Sequence, residues 1–302
     1  MTRRPQHITG HITGRLAGIL SALYWHIIGR LAGARNGPYS NRMSVPTQHR
    51  AVSTDSDGAL SHFAGRSALV VGGSGGIGAH VAMQLAARGA IPVIQGRDPG
   101  RVAAAVARIE AAGGQAKPLA LELNSARDLI DALDEPLRFD ILVVAFGPFV
   151  QKSLADTSPE EWERLAVLDL ALPGAMASAL LPGMLARGWG RMLFFGGTRT
   201  DGIRAYRSNA AYAAAKTGVS VLVKSLAAEG GDRNVAAIAV CPGLVGTEYV
   251  SPGVRDALSA SAPGGRLLAP GEIARISLDL LDADPCSASG ALVSLDAGFS
   301  PS

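Results

Sequence analysis

Cysteine is nearly absent. Cys241 and Cys286 are the two in 302 residues. That is too few for a disulfide framework, so a reducing, cytoplasmic compartment is expected. Cys241 reads as a small buried hydrophobe rather than a nucleophile. Histidine is missing where chemistry would need it: His7, His11, His26, His49 and His62 all precede residue 64, and His80 alone follows. A zinc cluster or a Ser-His-Asp arrangement therefore lacks its parts, no metal is expected, and His80 reads as a surface helix residue. Acid is absent before Asp55, in a stretch holding Arg3, Arg4, Arg15, Arg30, Arg35, Arg42 and Arg50. Without these arginines the net charge of +3 becomes −4, so the basic character sits in the amino-terminal stretch and no nucleic-acid partner is implied for the rest.

A long apolar run is lacking too. Leu16 to Ile28 is short and interrupted by His26, with glycines on its flanks. A membrane span needs about 20 apolar residues, so none is expected. Residues 1–60 also repeat themselves: His7 to Gly10 recurs as His11 to Gly14, and Gly14 to Gly18 recurs as Gly29 to Gly33. Such a Gly-rich segment is a poor core former. It reads as a disordered extension or an over-extended frame upstream of Met43, with a targeting peptide as the other reading because basic, acid-free, hydroxylated segments direct import. Residues 61–302 are expected to form one domain, and the 48% hydrophobic content suffices for a single large core.

Within that domain, Val70-Val71-Gly72-Gly73-Ser74-Gly75-Gly76-Ile77-Gly78 joins an apolar strand to a helix. Glycines let the backbone approach a pyrophosphate closely, and a helix N-terminus offers it free N–H donors. Such a turn alone is a weak signal, and its place between strand and helix strengthens it. Further on, Tyr212 and Lys216 lie four residues apart in an Ala-rich helical stretch. At that spacing they share a helix face, so the ammonium is expected beside the phenol, lowering its pKa towards neutrality and making it a usable acid or base.

Gly72, Gly76 and Gly78, then Tyr212 and Lys216, then Pro242-Gly243-Leu244-Val245-Gly246-Thr247 follow in an order that resembles the short-chain dehydrogenase/reductase family over residues 64–300. The resemblance implies a doubly wound α/β fold with a parallel, Rossmann-type sheet. It implies a nicotinamide cofactor held by Gly72, Ser74, Gly76, Ile77 and Gly78, with Glu122 near the adenine and Gly147 at the next strand end. Pro242, Gly243, Val245 and Thr247 would lie beside the nicotinamide. Tyr212 would donate the proton in carbonyl reduction, and Lys216 would depress its pKa and contact the nicotinamide ribose. Pairing through two long helices, 159–187 and 210–229 here, would give a homodimer or homotetramer.

Alternating patterns support that fold. Strands are expected over Ala68–Val71, Ile91–Gln95, Lys117–Leu121, Ile141–Phe146, Arg191–Phe195, Val235–Val240 and Ala291–Leu295, short and apolar as strands covered on both faces should be. Helices are expected over Ala79–Arg88, Gly100–Ala112, Ala126–Leu133, Pro159–Arg187, Ala210–Glu229 and Pro270–Leu281, with Pro173 and Pro182 bending or dividing the long one. Gln95-Gly96-Arg97-Asp98 ends the second strand without an acid for a ribose 2′-hydroxyl, and Arg97 is placed to meet a 2′-phosphate. NADP is therefore expected rather than NAD, the bland alternative being that Arg97 pairs with Asp98 or Glu110 at the surface.

The departures from the family are also informative. Val71 replaces its leading Thr, Val144-Ala145-Phe146-Gly147 replaces Asn-Asn-Ala-Gly, and Asp169 stands where a helix Asn supports a relay water. The usual Ser-Ser is Gly196-Gly197, followed by Thr198, which is expected to supply the carbonyl-binding hydroxyl from a lengthened loop, with Thr200 the weaker candidate. That loop carries Arg199, Arg204 and Arg207, which read as solvated charge or as anchors for an anionic substrate. Residues 246–269, rich in Pro and Gly, read as a mobile lid rather than a packed element. Two functions follow: an NADP-dependent reductase of a small-molecule carbonyl (or oxidation of a secondary alcohol), or a relative that binds NADP(H) without turnover as a sensor or assembly partner.

Overall fold

The computed structural model describes residues 61–133 and 138–299, so the extension 1–60 lies outside the described residues. The strands are β1 (Ser67–Val71), β2 (Ile91–Gly96), β3 (Lys117–Ala120), β4 (Ile141–Val144), β5 (Gly190–Phe195), β6 (Val235–Pro242) and β7 (Leu292–Leu295). All pair in parallel in one sheet of order β3-β2-β1-β4-β5-β6-β7. The helices are α1 (Gly76–Ala87), α2 (Pro99–Ala111), α3 (Ala126–Asp131), α4 (Pro159–Ala166), α5 (Leu172–Arg187), α6 (Ala210–Gly230), α7 (Pro252–Ser261) and α8 (Pro270–Leu281).

Successive side chains of a strand point to opposite faces, so the continuous apolar runs feed two cores at once. Ala68 and Val70 of β1, with Leu193, Phe195, Ile238 and Val240, pack under α1, α2 and α8. Leu69 and Val71, with Met192, Phe194, Ala237 and Ala239, pack under α3, α5 and α6. This is the doubly wound α/β fold. The strand order reverses between β1 and β4, where ligands enter such sheets at the carboxyl ends. There, Val71 pairs with Val144, after which β1 leaves the sheet at Gly72, and β4 accordingly stops short of the expected Phe146.

Two elements differ from expectation. The long helix runs on through a π turn, Val167–Ala171, just ahead of Pro173, whose ring and missing N–H the wider turn accommodates, and Pro182 is inside α5. By length and apolarity Pro159–Arg187 would suit a membrane, yet Leu172, Met176, Leu180 and Met184 are buried against the sheet. The expected lid 246–269 holds a ten-residue helix, α7, none of whose residues is buried. Pro252, one residue after Ser251, acts as a helix start there rather than as a loop breaker.

Candidate functional site

A cavity of about 540 Å³ runs along the carboxyl ends of the strands from Arg97 and Glu122 to Tyr212 and Lys216. One wall is the glycine turn. Gly72 adopts φ +76°, and a Cβ there would lie 2.8 Å from the Ala145 carbonyl oxygen. Gly78 does not line the cavity; a Cβ on it would fall 2.2 Å from the Gly72 carbonyl oxygen, so it serves the close packing of α1 on β1. The turn is further held by Gln95, buried at the end of β2, whose Oε1 accepts from the Gly72 N–H at 3.0 Å while its Nε2 donates to the Leu121 carbonyl at 2.6 Å. Sequence reasoning passed over Gln95, although a polar residue in a buried strand is a usable signal.

Tyr212 and Lys216, both on α6, line the same cavity as the turn. Tyr212 packs edge-on against Phe149, with ring centroids 4.9 Å apart. The expected partnership of the two differs in one respect. Lys216 Nζ lies 3.0 Å from Asp169 Oδ1, and 5.9 Å from the centroid of the Tyr212 ring. Asp169, in the π turn, is wholly buried, and the close ion pair with Lys216 compensates its charge there. Burial pushes its carboxyl up to about 6, against the pull of Lys216. The Tyr212 phenol is raised rather than lowered, first by burial and then by the Asp169 charge and Cys241. Burial is the main cause, and Asp169 adds to it: a carboxylate stands where the family pattern has an amide, and it pairs with the ammonium. Gly147 makes room for this pair, since a Cβ there would lie 1.8 Å from Asp169 Oδ1.

Thr198 does not face the cavity. Its Oγ1 donates to the Pro242 carbonyl at 3.0 Å, and Thr200 is buried with its hydroxyl bonded to Gly197. The expectation that Thr198 binds a carbonyl is thus not met in this geometry, because the turn at 197–200 satisfies its own polar groups. A Cβ on Gly197 would lie 2.6 Å from Tyr212 Cε1, so the phenol ring fills the space a serine side chain would take. Asp169 is likewise walled off from the cavity. None of Arg199, Arg204 and Arg207 lines it; Arg204 pairs with Asp201 at 3.5 Å, and neighbouring Ile203 is fully exposed. Cys241 is buried beside Thr200 and its thiol is pushed up by burial, as suits an inert core residue.

Arg97 lines the cavity at the end of β2, its nearest acid being Glu122 at 4.0 Å rather than Asp98 or Glu110. Asp98 instead caps α2 by accepting from the Arg101 N–H at 2.8 Å. Ser74, Gly76, Ile77, Gly147, Pro242 and Thr247 line the cavity, whereas Gly243 and Val245 lie behind it. A Cβ on Gly243 would meet Asp296 Cα at 2.7 Å, and Val245 bridges to Leu268. Arg101 and Tyr249 line the cavity at the glycine turn, next to Glu248, which accepts from the Gly76 N–H at 2.9 Å. Burial works to raise the Glu248 carboxyl, but the Gly76 N–H and Arg101 outweigh it and hold the group below its ordinary value. No local pattern announces this contact, because it joins residues 172 positions apart.

Residues 66–257 match the short chain dehydrogenase family. The chain is 32% identical to a 3-oxoacyl-(acyl-carrier-protein) reductase of Vibrio harveyi, over 78% of this chain and 97% of that protein. It is 29% identical to D-beta-hydroxybutyrate dehydrogenase of Cupriavidus necator, over 78% of this chain and 98% of that one. Among solved structures, a 3-oxoacyl (acyl-carrier-protein) reductase of Agrobacterium tumefaciens C58 with NADP bound superposes with a TM-score of 0.71 at 32% identity, covering 78% of this chain and 94% of that one. Since the match takes in well over half of the sequence, including the turn and the Tyr212 helix, the chain belongs to the short-chain dehydrogenase family of oxidoreductases.

Proposed function

We propose that the protein is an NADP(H)-dependent oxidoreductase that interconverts a carbonyl and a secondary alcohol, with Tyr212 as the group that gives or takes the proton. The observation that carries this reading is that Tyr212 and Lys216 open into the same cleft as the glycine turn. That cleft suits a dinucleotide: Gly72 brings its backbone to the cavity wall without a Cβ, and the volume lies in the range of cofactor sites. Gly76 and Ile77 at the start of α1 would hold the pyrophosphate, Arg97 the 2′-phosphate, and Lys216 the nicotinamide ribose. Solved relatives with NADP bound support this choice of cofactor.

The nicotinamide, when bound, supplies a hydride or accepts one. The protein's own residues handle the proton. In reduction the Tyr212 O–H donates to the substrate oxygen, leaving a phenolate whose nearby counter-charge is Lys216, shared with Asp169. Phe149 braces the ring edge-on, and Phe146 and Phe195 line the same cavity. Small-molecule ketones are the substrate class.

The test is to follow NADPH oxidation with a panel of ketones, keto acids and quinones. Turnover is expected, and Tyr212→Phe should lower it by about 10²- to 10⁴-fold, the usual contribution of a general acid. A second reading, cofactor binding without turnover, draws on the Thr198 hydroxyl being tied to Pro242 and on the missing side chain at Gly197. It would be preferred if NADPH bound tightly and every substrate in the panel were left unreduced.

A further inference from the structure

The anion seat at the glycine turn is already filled by the protein itself. Glu248 Oε1 accepts from the Gly76 N–H at 2.9 Å, at the first turn of α1, and also sits 2.7 Å from Arg101 Nη2. Tyr249 closes over this pair, its ring 4.6 Å from the Arg101 guanidinium. The three side chains lie directly on the turn: a Cβ on Gly75 would be 2.1 Å from Tyr249 Oη, 2.5 Å from Arg101 Nη2 and 2.6 Å from Glu248 Oε1. A backbone N–H at a helix start together with a guanidinium is a phosphate-binding pair, and a carboxylate is the side chain that can imitate a phosphate there.

We infer that Arg101, with the Gly76 N–H, binds a phosphate of the dinucleotide, and that Glu248 holds this seat as an internal competitor until the cofactor displaces it. The inference rests on the cofactor reading above and adds to it a residue and a contact that the glycine motif does not contain. The release is inexpensive. Arg101 and Glu248 are about half exposed, at 42% and 51%, so their ion pair is screened by water. Glu248 leads into α7, which has no buried residue, so the segment can withdraw without opening the core. Once Glu248 leaves, Arg101 and the Gly76 N–H both lack a partner and face the cleft, where the cofactor's pyrophosphate or 2′-phosphate supplies the same charge-assisted bonds. Tyr249 then loses its place on the turn, which couples occupation of the phosphate seat to the position of the 246–269 segment.

Binding, rather than turnover, tests this. NADPH and NADH are titrated by their fluorescence into the full chain and into the Glu248→Gln and Arg101→Gln variants, with far-UV circular dichroism confirming that each is folded. Glu248→Gln removes the competing charge, and both dissociation constants should fall by about three- to thirtyfold, the combined scale of an exposed ion pair and a helix-end charge. Arg101→Gln should raise the dissociation constant by about ten- to a hundredfold, the scale of a hydrogen bond to a charged group. Weakening of both cofactors alike assigns Arg101 to the pyrophosphate; weakening of NADPH alone assigns it to the 2′-phosphate, and either supports the inference. Unchanged affinity in either variant, with the parent still binding, overturns the inference and leaves the proposed function standing. Failure of the parent to bind either dinucleotide overturns both.

Discussion

Asp169 decides how Lys216 spends its charge. As a carboxylate 3.0 Å from Nζ it neutralises the ammonium and, through its own charge, makes the Tyr212 phenol harder to ionise. Its carboxyl titrates at about 6, and the group facing it with opposite charge is Lys216, while Tyr212 and Cys241 are the neighbouring neutral acids. The sign follows directly: below that pH Asp169 is neutral, Lys216 acts on Tyr212 alone, and the phenol becomes the better proton donor; above it the ion pair forms and that help is lost. Ketone reduction at saturating NADPH should therefore rise as pH falls through about 6. In Asp169→Asn this inflection should vanish and the Tyr212 ionisation should move down, read as the tyrosinate absorbance that Tyr212→Phe removes. An unchanged pH profile in the variant would mean that Asp169 does not act through Lys216.

At the scale of the element, β1, its turn and α1 form a single unit in which glycine is a packing requirement. The Gly78 Cα faces the Gly72 carbonyl so closely that a methyl group would lie 2.2 Å from the oxygen. Neither partner is a flexible side chain, so either α1 or the turn must shift. Gly78→Ala should cost about 1–3 kcal/mol in urea unfolding, as overpacked sites do. It should also weaken NADPH binding at least tenfold, because the N–H groups at the start of α1 move with the helix. Full NADPH affinity in a folded variant would show that the turn tolerates the shift. The π turn within 159–187 belongs to this scale too, since it is what carries Asp169 inward against α6.

Over the whole molecule the two ends of the sheet have separate tasks. The carboxyl ends carry the cleft, while at the amino ends the wholly buried Arg191 of β5 ties distant segments together. It donates to the carbonyls of Leu281, Gly190, Asn234 and Ala283, and its guanidinium lies 4.5 Å from the Trp189 ring centroid. Replacing it strands these acceptors in the interior. Arg191→Met should lower stability by about 3–5 kcal/mol in urea unfolding while NADPH affinity of the folded fraction stays near that of the parent. A loss under about 1 kcal/mol would mean that water or rearranged chain satisfies the carbonyls in its place.

The amino-acid sequence by itself determined the alternation of strands and helices, because apolar runs covered on both faces and glycine, proline and capping residues act locally. It determined the turn at Gly72 to Gly78 and the Tyr212–Lys216 spacing for the same reason: each is read within a few residues of chain. Tertiary structure decided what those groups touch. Lys216 meets Asp169 across two helices, Tyr212 takes the space beside Gly197, Thr198 turns to Pro242, and Glu248 reaches the helix start beyond Gly75. Charges and hydroxyls choose partners by distance and burial in the folded molecule, and neither quantity is written in the spacing of residues along the chain.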